Sequence, residues 1–368
     1  MQIDSIRIVR VGMPLVYPFR TAFGNVESIE STLVRLTSGG KTGWGESACW
    51  AMPAYSAECA STQFLISRDF IAPLLLHQWI ATGAELQEKL NGIKGNYFAK
   101  AAFDLAWWDL HANAEQQPLW KILGGKSDTI DAGADFGVME NVETLIKTIT
   151  EACNQGYKRV KLKYRPGWDL DMIKQVRDRF PDLPVHIDCN SCYSLQDMDM
   201  FKELDNYRLT MIEQPLAHDD LIDHAVLQQE LQTPVCLDES IVSAHKARKA
   251  IEVGACRWVN IKLGRVGGIT NALSVNKVCE DRHIPCWVGG MLESAIGSSH
   301  NIAFAALPNI QYPSDIFPTS RFYAKDLGCR SIEHEGLSQF RASRLPGIGV
   351  TPDEAMIAKW AIEECCFS

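Results

Sequence analysis

From about residue 130 onward, short apolar runs alternate with amphipathic segments. The runs are "DAGADFGV", "RVKLKY", "PVHID", "LTMIEQP", "PVCLDE", "RWVNIK", "IPCWVGG" and "IQYPSDI". Helical patterns such as "DLDMIKQVRDRF", "DMDMFKELDNY" and "ITNALSVNKVCEDR" lie between them. Eight strand-like runs with intervening helices in about 185 residues predict an α/β protein with a (β/α) barrel, with a doubly wound open sheet as the alternative. Residues 1–128 read differently, as an α+β capping domain. "IDSIRIVRVGMPL" and "STLVRLTSGGKTGWGES" predict strands, the second holding a turn at Gly39 and Gly40. "YFAKAAFDLAWWDLHANA" carries Phe98, Ala101, Ala102, Leu105, Trp108 and Ala112 at helical spacing, and the glycines of "ILGGK" are expected to end that helix. The barrel is expected over 129–319. Residues 320–368 lose the rhythm and are expected to pack back on the N-terminal part.

The bulk composition narrows the function classes. The chain has 368 residues, 46% of them apolar, with 36 basic and 45 acidic residues and a formal charge of −9. That balance argues against a nucleic-acid or anionic-membrane partner. No run approaches a membrane span, and "MQIDSIRIVR" lacks the apolar core of a signal peptide, so a cytoplasmic protein is expected. Twelve cysteines scattered through such a chain read as free thiols. The pair Cys189 and Cys192 in "CNSC" has no second CxxC or paired histidines nearby to make a zinc site.

One strand is unusual. In "KRVKLKY", Val160 and Leu162 fall on one face, while Lys161 and Lys163 share the other. Lys163 ends its run, and Asp188, Glu213 and Asp238 end the next three, each 25 residues further on; Lys262 follows 24 residues later. Taken singly, a strand-end acid caps a loop and a strand-end lysine snorkels to solvent. Five in register point into one barrel mouth, where barrel active sites lie. Asp188, Glu213 and Asp238 would repel unless a cation joined them. All-oxygen ligands suit Mg²⁺, with Mn²⁺ as the substitute. Asn190 would support that shell. Lys163 is the candidate base, and a second cation at Lys161 together with the metal is expected to lower its pKa. Lys161 itself either grips a substrate carboxylate or pairs with an acid. Such a set suits removal of a proton α to a carboxylate, the enediolate being steadied by metal and ammonium.

The motifs "KLK" at Lys161–Lys163, "DCN" at Asp188, "EQP" at Glu213, "DES" at Asp238 and "NIKLGRVGG" around Lys262, with "GWGE" and "AKAAFDLAWWDL" further upstream, resemble the enolase superfamily, muconate-lactonizing subgroup. Mg²⁺ with a lysine base is an established pattern there. "GGMLESAIGSSHN" resembles the o-succinylbenzoate synthase and N-succinylamino acid racemase family within it. The resemblance implies a modified (β/α)₇β barrel under an α+β cap, a small-molecule carboxylate substrate, and a homo-oligomer. It implies dehydration of 2-succinyl-6-hydroxy-2,4-cyclohexadiene-1-carboxylate to 2-succinylbenzoate for menaquinone synthesis, with N-succinylamino acid racemisation as the alternative on the same residues. Lys163 and Lys262 would be catalytic. Arg265 matches an arginine of members that include racemases and is placed with Lys161 and Glu293 on the substrate side, Glu293 ordering the Lys262 side of the mouth. "PFRTAFG" resembles the loop that covers substrate. The succinyl tail would be held by capping loops and backbone amides. Ser298 stands where many relatives carry arginine, and "ESACWAMPAY" departs from the common loop.

Three rivals rank lower. Dipeptide epimerases place an Asp-x-Asp after the eighth strand, whereas here Asp315 is followed by Ile316 and Phe317. "GRVGG", Gly264–Gly268, is not a dinucleotide-binding GxGxxG. A non-catalytic scaffold would have little reason to keep five buried charges.

Overall fold

The apolar alternation at the start of the chain builds an antiparallel sheet covered on both sides. The computed structural model describes residues 1–21 and 24–368, with the side chains of residues 19–25 outside the description. The "PFRTAFG" segment therefore falls largely outside the described residues. Strands β1 (Ser5–Thr21), β2 (Gly24–Ser38) and β3 (Lys41–Ala48) form a meander. Gly39 and Gly40 turn β2 into β3 with φ of +53° and +75°, a conformation glycine adopts without a Cβ penalty. Ile6, Ile8, Val34 and Leu36 pack with Phe64, Phe103 and Trp107 in one apolar cluster. Val9, Val11, Met13, Ile29 and Leu33 belong to a second, which runs without a break into the barrel core.

Strand β3 lies hard against the helix Tyr97–Ala114. A Cβ on Gly43 would sit 2.2 Å from Leu110 N, and one on Gly45 2.1 Å from Ala102 O. The two glycines of "GWGE" are therefore required by the close approach of sheet and helix. The helix ends earlier than its sequence suggests. Gln116 takes φ +53° and Gln117 N donates to Ala112 O at 3.1 Å, closing the last turn. Pro118 then opens a separate one-turn helix, Leu119–Ile122, and Gly124 (φ +88°) follows that one. The glycines of "ILGGK" cap the short helix and not the long one.

The second sheet is parallel. After β4 (Thr129–Asp131) come β5 (Ala134–Phe136), β6 (Val160–Lys163), β7 (Val185–Asp188), β8 (Ile212–Glu213), β9 (Val235–Leu237), β10 (Trp258–Ile261) and β11 (Cys286–Val288). Strands β5 to β11 are neighbours in chain order, with helices between them, as right-handed crossovers require. Leu162, Ile187, Ile212, Leu237 and Ile261 are buried in one cluster with Leu145, Ile173, Phe201, Leu227 and Val275 of the helices. "IQYPSDI" does not form the eighth strand predicted for it. Pro313 has no N–H to give a ladder. The segment still closes the sheet: Gln311 N donates to Cys286 O and Asp315 N to Val288 O, both at 2.9 Å, while Gly133 N donates to Ser314 O at 2.9 Å. Met211, Cys236 and Trp287, with Trp258 and Tyr312, form a small cluster inside the barrel.

The chain then returns. β12 (Gln339–Arg341) pairs with β4, and β13 (Ala361–Phe367) pairs antiparallel with β1 at the edge of the first sheet. Glu46 of β3 joins the first sheet to the barrel. Its carboxylate accepts from Ser294 N (3.1 Å), Ser294 Oγ (2.5 Å) and Gly297 N (2.8 Å), at the start of the helix Ala295–Ala305. Burial lifts that carboxyl to about 7 against the pull of these donors. No described helix is long and apolar enough to cross a membrane.

Two outcomes follow from these contacts. Gly45→Ala drives a methyl into the helix backbone and should abolish folding or lower the denaturation midpoint sharply. Glu46→Ala strands the Ser294 and Gly297 donors and should cost about 2–4 kcal/mol in urea unfolding.

Candidate active site

Because side chains alternate across each strand, the inward positions of β6 and β7 are Lys161 and Lys163, and His186 and Asp188. Lys163 and Asp188 are register partners, as are Asp188 and Glu213. Asp238 follows the last residue of β9, and Lys262 follows β10. The structure thus brings all five strand-end residues to one end of the barrel.

Acids and cations alternate there. Lys163 Nζ lies 2.7 Å from Asp188 Oδ2. Lys161 Nζ bridges Asp188 Oδ2 (2.9 Å), Glu213 Oε2 (3.0 Å) and Asp315 Oδ2 (3.1 Å), and stands 5.3 Å from the centre of the Trp287 ring. Lys262 Nζ lies 3.0 Å from Asp238 Oδ2 and 4.5 Å from the centre of the Tyr55 ring. Lys163 meets only the Asp188 end of the cluster and Lys262 only the Asp238 end, with Glu213 between them. The Lys163 side chain keeps 25% exposure and that of Lys262 keeps 9%, while Asp188, Glu213 and Asp238 are fully enclosed.

Burial opposes charge on Asp188, yet Lys161 and Lys163 outweigh it and hold the carboxyl well below its usual range. Glu213 goes the other way. Burial and the neighbouring Asp188 lift it to about 7. Burial and Lys161 pull the pKa of Lys163 down, but without the charge of a metal Asp188 at 2.7 Å outweighs both, so the amine titrates above its ordinary value.

Asn190 sits at φ +42° in a tight turn closed by Cys192 N donating to Cys189 O at 3.0 Å. Its N–H donates to Asp188 Oδ1 (3.1 Å), its Oδ1 accepts from Lys163 (2.8 Å), and its Nδ2 donates to Glu239 Oε1 (3.1 Å). One residue therefore positions an acid and the candidate base together. The two cysteines flanking it are free, Cys189 buried and Cys192 exposed.

Arg265 is not on the substrate side. Its guanidinium is buried against Asp238, with Nε donating to Ile241 O (2.9 Å), Nη2 to Asn260 O (2.6 Å) and Nη1 to the Tyr55 hydroxyl (2.9 Å). Four of its five N–H donors are spent on protein, so it orients Asp238. Lys161 is likewise held by three acids. Glu293 is half-buried and accepts from Met291 N at 2.9 Å, on the Lys262 side.

Several residues escape the strand-end pattern. Gln214, at φ +38°, accepts from Asp238 N (3.0 Å) and Ser240 N (3.2 Å), so "EQP" fixes the backbone of "DES". Asn260 donates to Glu213 Oε1 at 2.7 Å; two residues before Lys262, it shares that residue's face, which is the signal that marks it as inward-facing. Tyr55 reaches from the cap and donates to Asp238 Oδ1 at 3.1 Å, with no periodic signal to announce it. Asp315, weighed from sequence only against an Asp-x-Asp pattern, joins the buried Arg159 to Lys161.

Among the described residues no three metal-ligating side chains are drawn together as a ready cage, because each carboxylate turns to a cation. The donor set nevertheless suits a hard divalent ion. Glu213 Oε2, Asp238 Oδ2 and Glu239 Oε2 are buried without accepting a hydrogen bond, the first two touching an ammonium only as ion pairs. Oxygen ligands of this type select Mg²⁺ or Mn²⁺ over softer-ligand metals.

A parallel barrel with acids and lysines at its strand ends, under an antiparallel cap, is the architecture of the enolase superfamily, and the chain belongs to it. Residues 3–124 match the mandelate racemase / muconate lactonizing enzyme N-terminal domain, and residues 144–356 match the enolase C-terminal domain-like family. The chain is 41% identical over 362 residues to an o-succinylbenzoate synthase of Geobacillus kaustophilus, covering 98% of this chain and 96% of that one. It is 40% identical over 334 residues to an N-succinylamino acid racemase of Thermus thermophilus, covering 90% of each. A solved enolase-superfamily structure from Listeria innocua superposes with a TM-score of 0.97 at 38% identity, over 100% of this chain and 99% of the other.

Removing Asp315 would leave Arg159 buried without its acid. Asp315→Ala should cost about 3–5 kcal/mol in chemical denaturation, as a broken buried ion pair does.

Proposed function

We propose that the chain is an o-succinylbenzoate synthase, a lyase that dehydrates 2-succinyl-6-hydroxy-2,4-cyclohexadiene-1-carboxylate to 2-succinylbenzoate. The observation that carries this reading is the pair of lysines entering one acid cluster from its two ends, Lys163 at Asp188 and Lys262 at Asp238. The synthase relatives, 36–42% identical over nearly the whole chain, supply the reaction.

Asp188, Glu213 and Asp238 would hold Mg²⁺, with Mn²⁺ able to replace it. When bound, such an ion supplies positive charge that acidifies the α-hydrogen of a substrate carboxylate. Lys163, the more exposed of the two lysines, takes that proton in its neutral form, which a divalent ion on Asp188 would favour by offsetting the carboxylate that otherwise holds the ammonium, and returns it to the departing hydroxyl, which leaves as water. Lys262 keeps its proton and steadies the enediolate from the other side. Asn190 and Arg265 keep Asp188 and Asp238 in place, and Tyr55 covers the Lys262 side. These groups must be preset, because reorganising them during reaction would forfeit their electrostatic effect.

Racemisation of N-succinylamino acids is the second reading. It is favoured by Lys262, which stands at the opposite end of the acid cluster from Lys163 and could return a proton to the other substrate face. The racemase relatives agree with it.

Lys163→Ala and Lys262→Ala should each lower synthase turnover by at least about 10³-fold, while the unfolding midpoint in urea stays high. Full dehydration by Lys163→Ala would refute the base assignment. EDTA should silence the enzyme and Mg²⁺ restore it; a stripped protein working at full rate would remove the metal from the reaction. Exchange of the α-proton of an N-succinylamino acid in deuterated water separates an active enzyme from a scaffold.

A further inference from the structure

The geometry points to Arg321 as the residue that binds the second carboxylate of the substrate, the acid at the far end of the succinyl chain. This assignment rests on the dicarboxylate substrate proposed above. Both substrates considered there carry that acid, and the lysine and acid cluster engages only the carboxylate at the reacting carbon. Asp135 and Glu239 are half-buried beside the cluster, so a second anion entering there needs a cation of its own.

Arg321 ends the single turn Thr319–Arg321, just after the segment that closes the barrel. Its Nη2 lies 3.4 Å from Asp135 O. Asp135 is the register partner of Lys161 on the adjacent strand, which places the guanidinium on the rim beside the strand carrying Lys163. Phe317 and Phe322 pack edge to face on one side of it, their ring centres 5.7 Å apart and 5.0 and 5.4 Å from its central carbon. Phe317 and Phe322 also line a small cavity with Glu293, Ser298, Asn301 and Asp315. From the cap, the Tyr17 hydroxyl accepts from Nε at 3.4 Å, and Val16 N donates to Phe322 O at 2.8 Å.

The contrast with the other arginines decides the argument. Arg159 and Arg265 are buried, and each is tied to an aspartate. Arg321 is half-buried, makes only two long hydrogen bonds, and pairs with no carboxylate among the described residues. A guanidinium has five N–H donors in a planar fork that fits a carboxylate. Resting against two rings on one side, the planar fork loses little freedom on binding one. Neither long bond to Tyr17 or to Asp135 O would have to be broken for Nη1 to engage an anion.

The experiment compares N-succinyl and N-acetyl derivatives of one amino acid in α-proton exchange. The acetyl compound lacks the tail carboxylate and keeps everything else near the reacting carbon. Arg321→Gln should raise KM for the N-succinyl compound about 10- to 100-fold, leave kcat within about threefold, and leave the N-acetyl compound unchanged. The same rise in KM is expected for the dehydration. Arg321→Lys should recover part of the loss. Arg165→Gln, which removes an exposed guanidinium from the loop after β6, should have no selective effect. Equal losses on both compounds, no loss on either, or a selective loss in Arg165→Gln would each overturn the assignment while leaving the reaction intact. Wild-type protein that neither dehydrates the cyclohexadiene nor exchanges either amino-acid derivative would instead overturn the reading beneath it.

Discussion

Three carboxylates from adjacent strands are enclosed at the end of one barrel, and the rest of the site exists to make that tolerable. Buried like charges cannot stand alone. Here Lys161 is wedged among Asp188, Glu213 and Asp315, while Lys163 and Lys262 take the two flanks and Arg265 takes the back of Asp238. Fixed cations do not saturate the cluster. Glu213 is lifted to about 7, and Glu239 is pushed up to about 8 by burial and the neighbouring Asp238 and Asp188. Lys161, Lys163, Lys262 and Arg265 hold Asp188 and Asp238 down, so the fixed cations compensate the cluster unevenly and least at Glu213 and Glu239.

The arrangement is rigid because the motifs support one another through backbone contacts. Gln214 receives the amides of Asp238 and Ser240, Asn190 ties Asp188 to Lys163, and Asn260 holds Glu213. Several of these residues occupy positive-φ conformations that other side chains resist, as Gln214 and Asn190 do. Local strain of that kind persists only where surrounding bonds over-determine it. The cap takes part as well. Tyr55 donates to Asp238, and Glu46 fastens β3 to the helix Ala295–Ala305, so the loop that reaches the site hangs from a domain anchored to the barrel wall.

Much of this was legible in the chain because barrels repeat. The near-constant spacing from Lys163 to Lys262 placed five side chains at one end without any knowledge of their partners, and the helix Tyr97–Ala114 followed from its apolar periodicity. What escaped were features decided by tertiary geometry. "IQYPSDI" reads as a strand, but Pro313 breaks the ladder that it still helps to close. The match of Arg265 to an arginine of members that include racemases puts it on the substrate side, yet its environment makes it a support for Asp238. Tyr55 and Arg321 come from irregular segments, where no periodicity marks an inward-facing side chain. The charge state of Lys163 depended on which neighbour stood nearest, and Asp188 stood nearer than sequence adjacency to Lys161 implied.

The core of the site does not discriminate between elimination and racemisation. Both need an α-proton removed beside a carboxylate and a cation on the other side, and in the proposed roles the lysine pair would serve either. Discrimination must therefore come from groups that touch the remainder of the substrate, on the rim and the cap. Ser298 beside Phe317 and Phe322, the "ESACWAMPAY" loop carrying Tyr55, and the Tyr17–Arg321 contact all occupy that outer ring. A buried charge lattice under a separate rim would let one reaction core serve either outcome, since rim contacts alter which substrate atoms reach the two amines without disturbing the lattice.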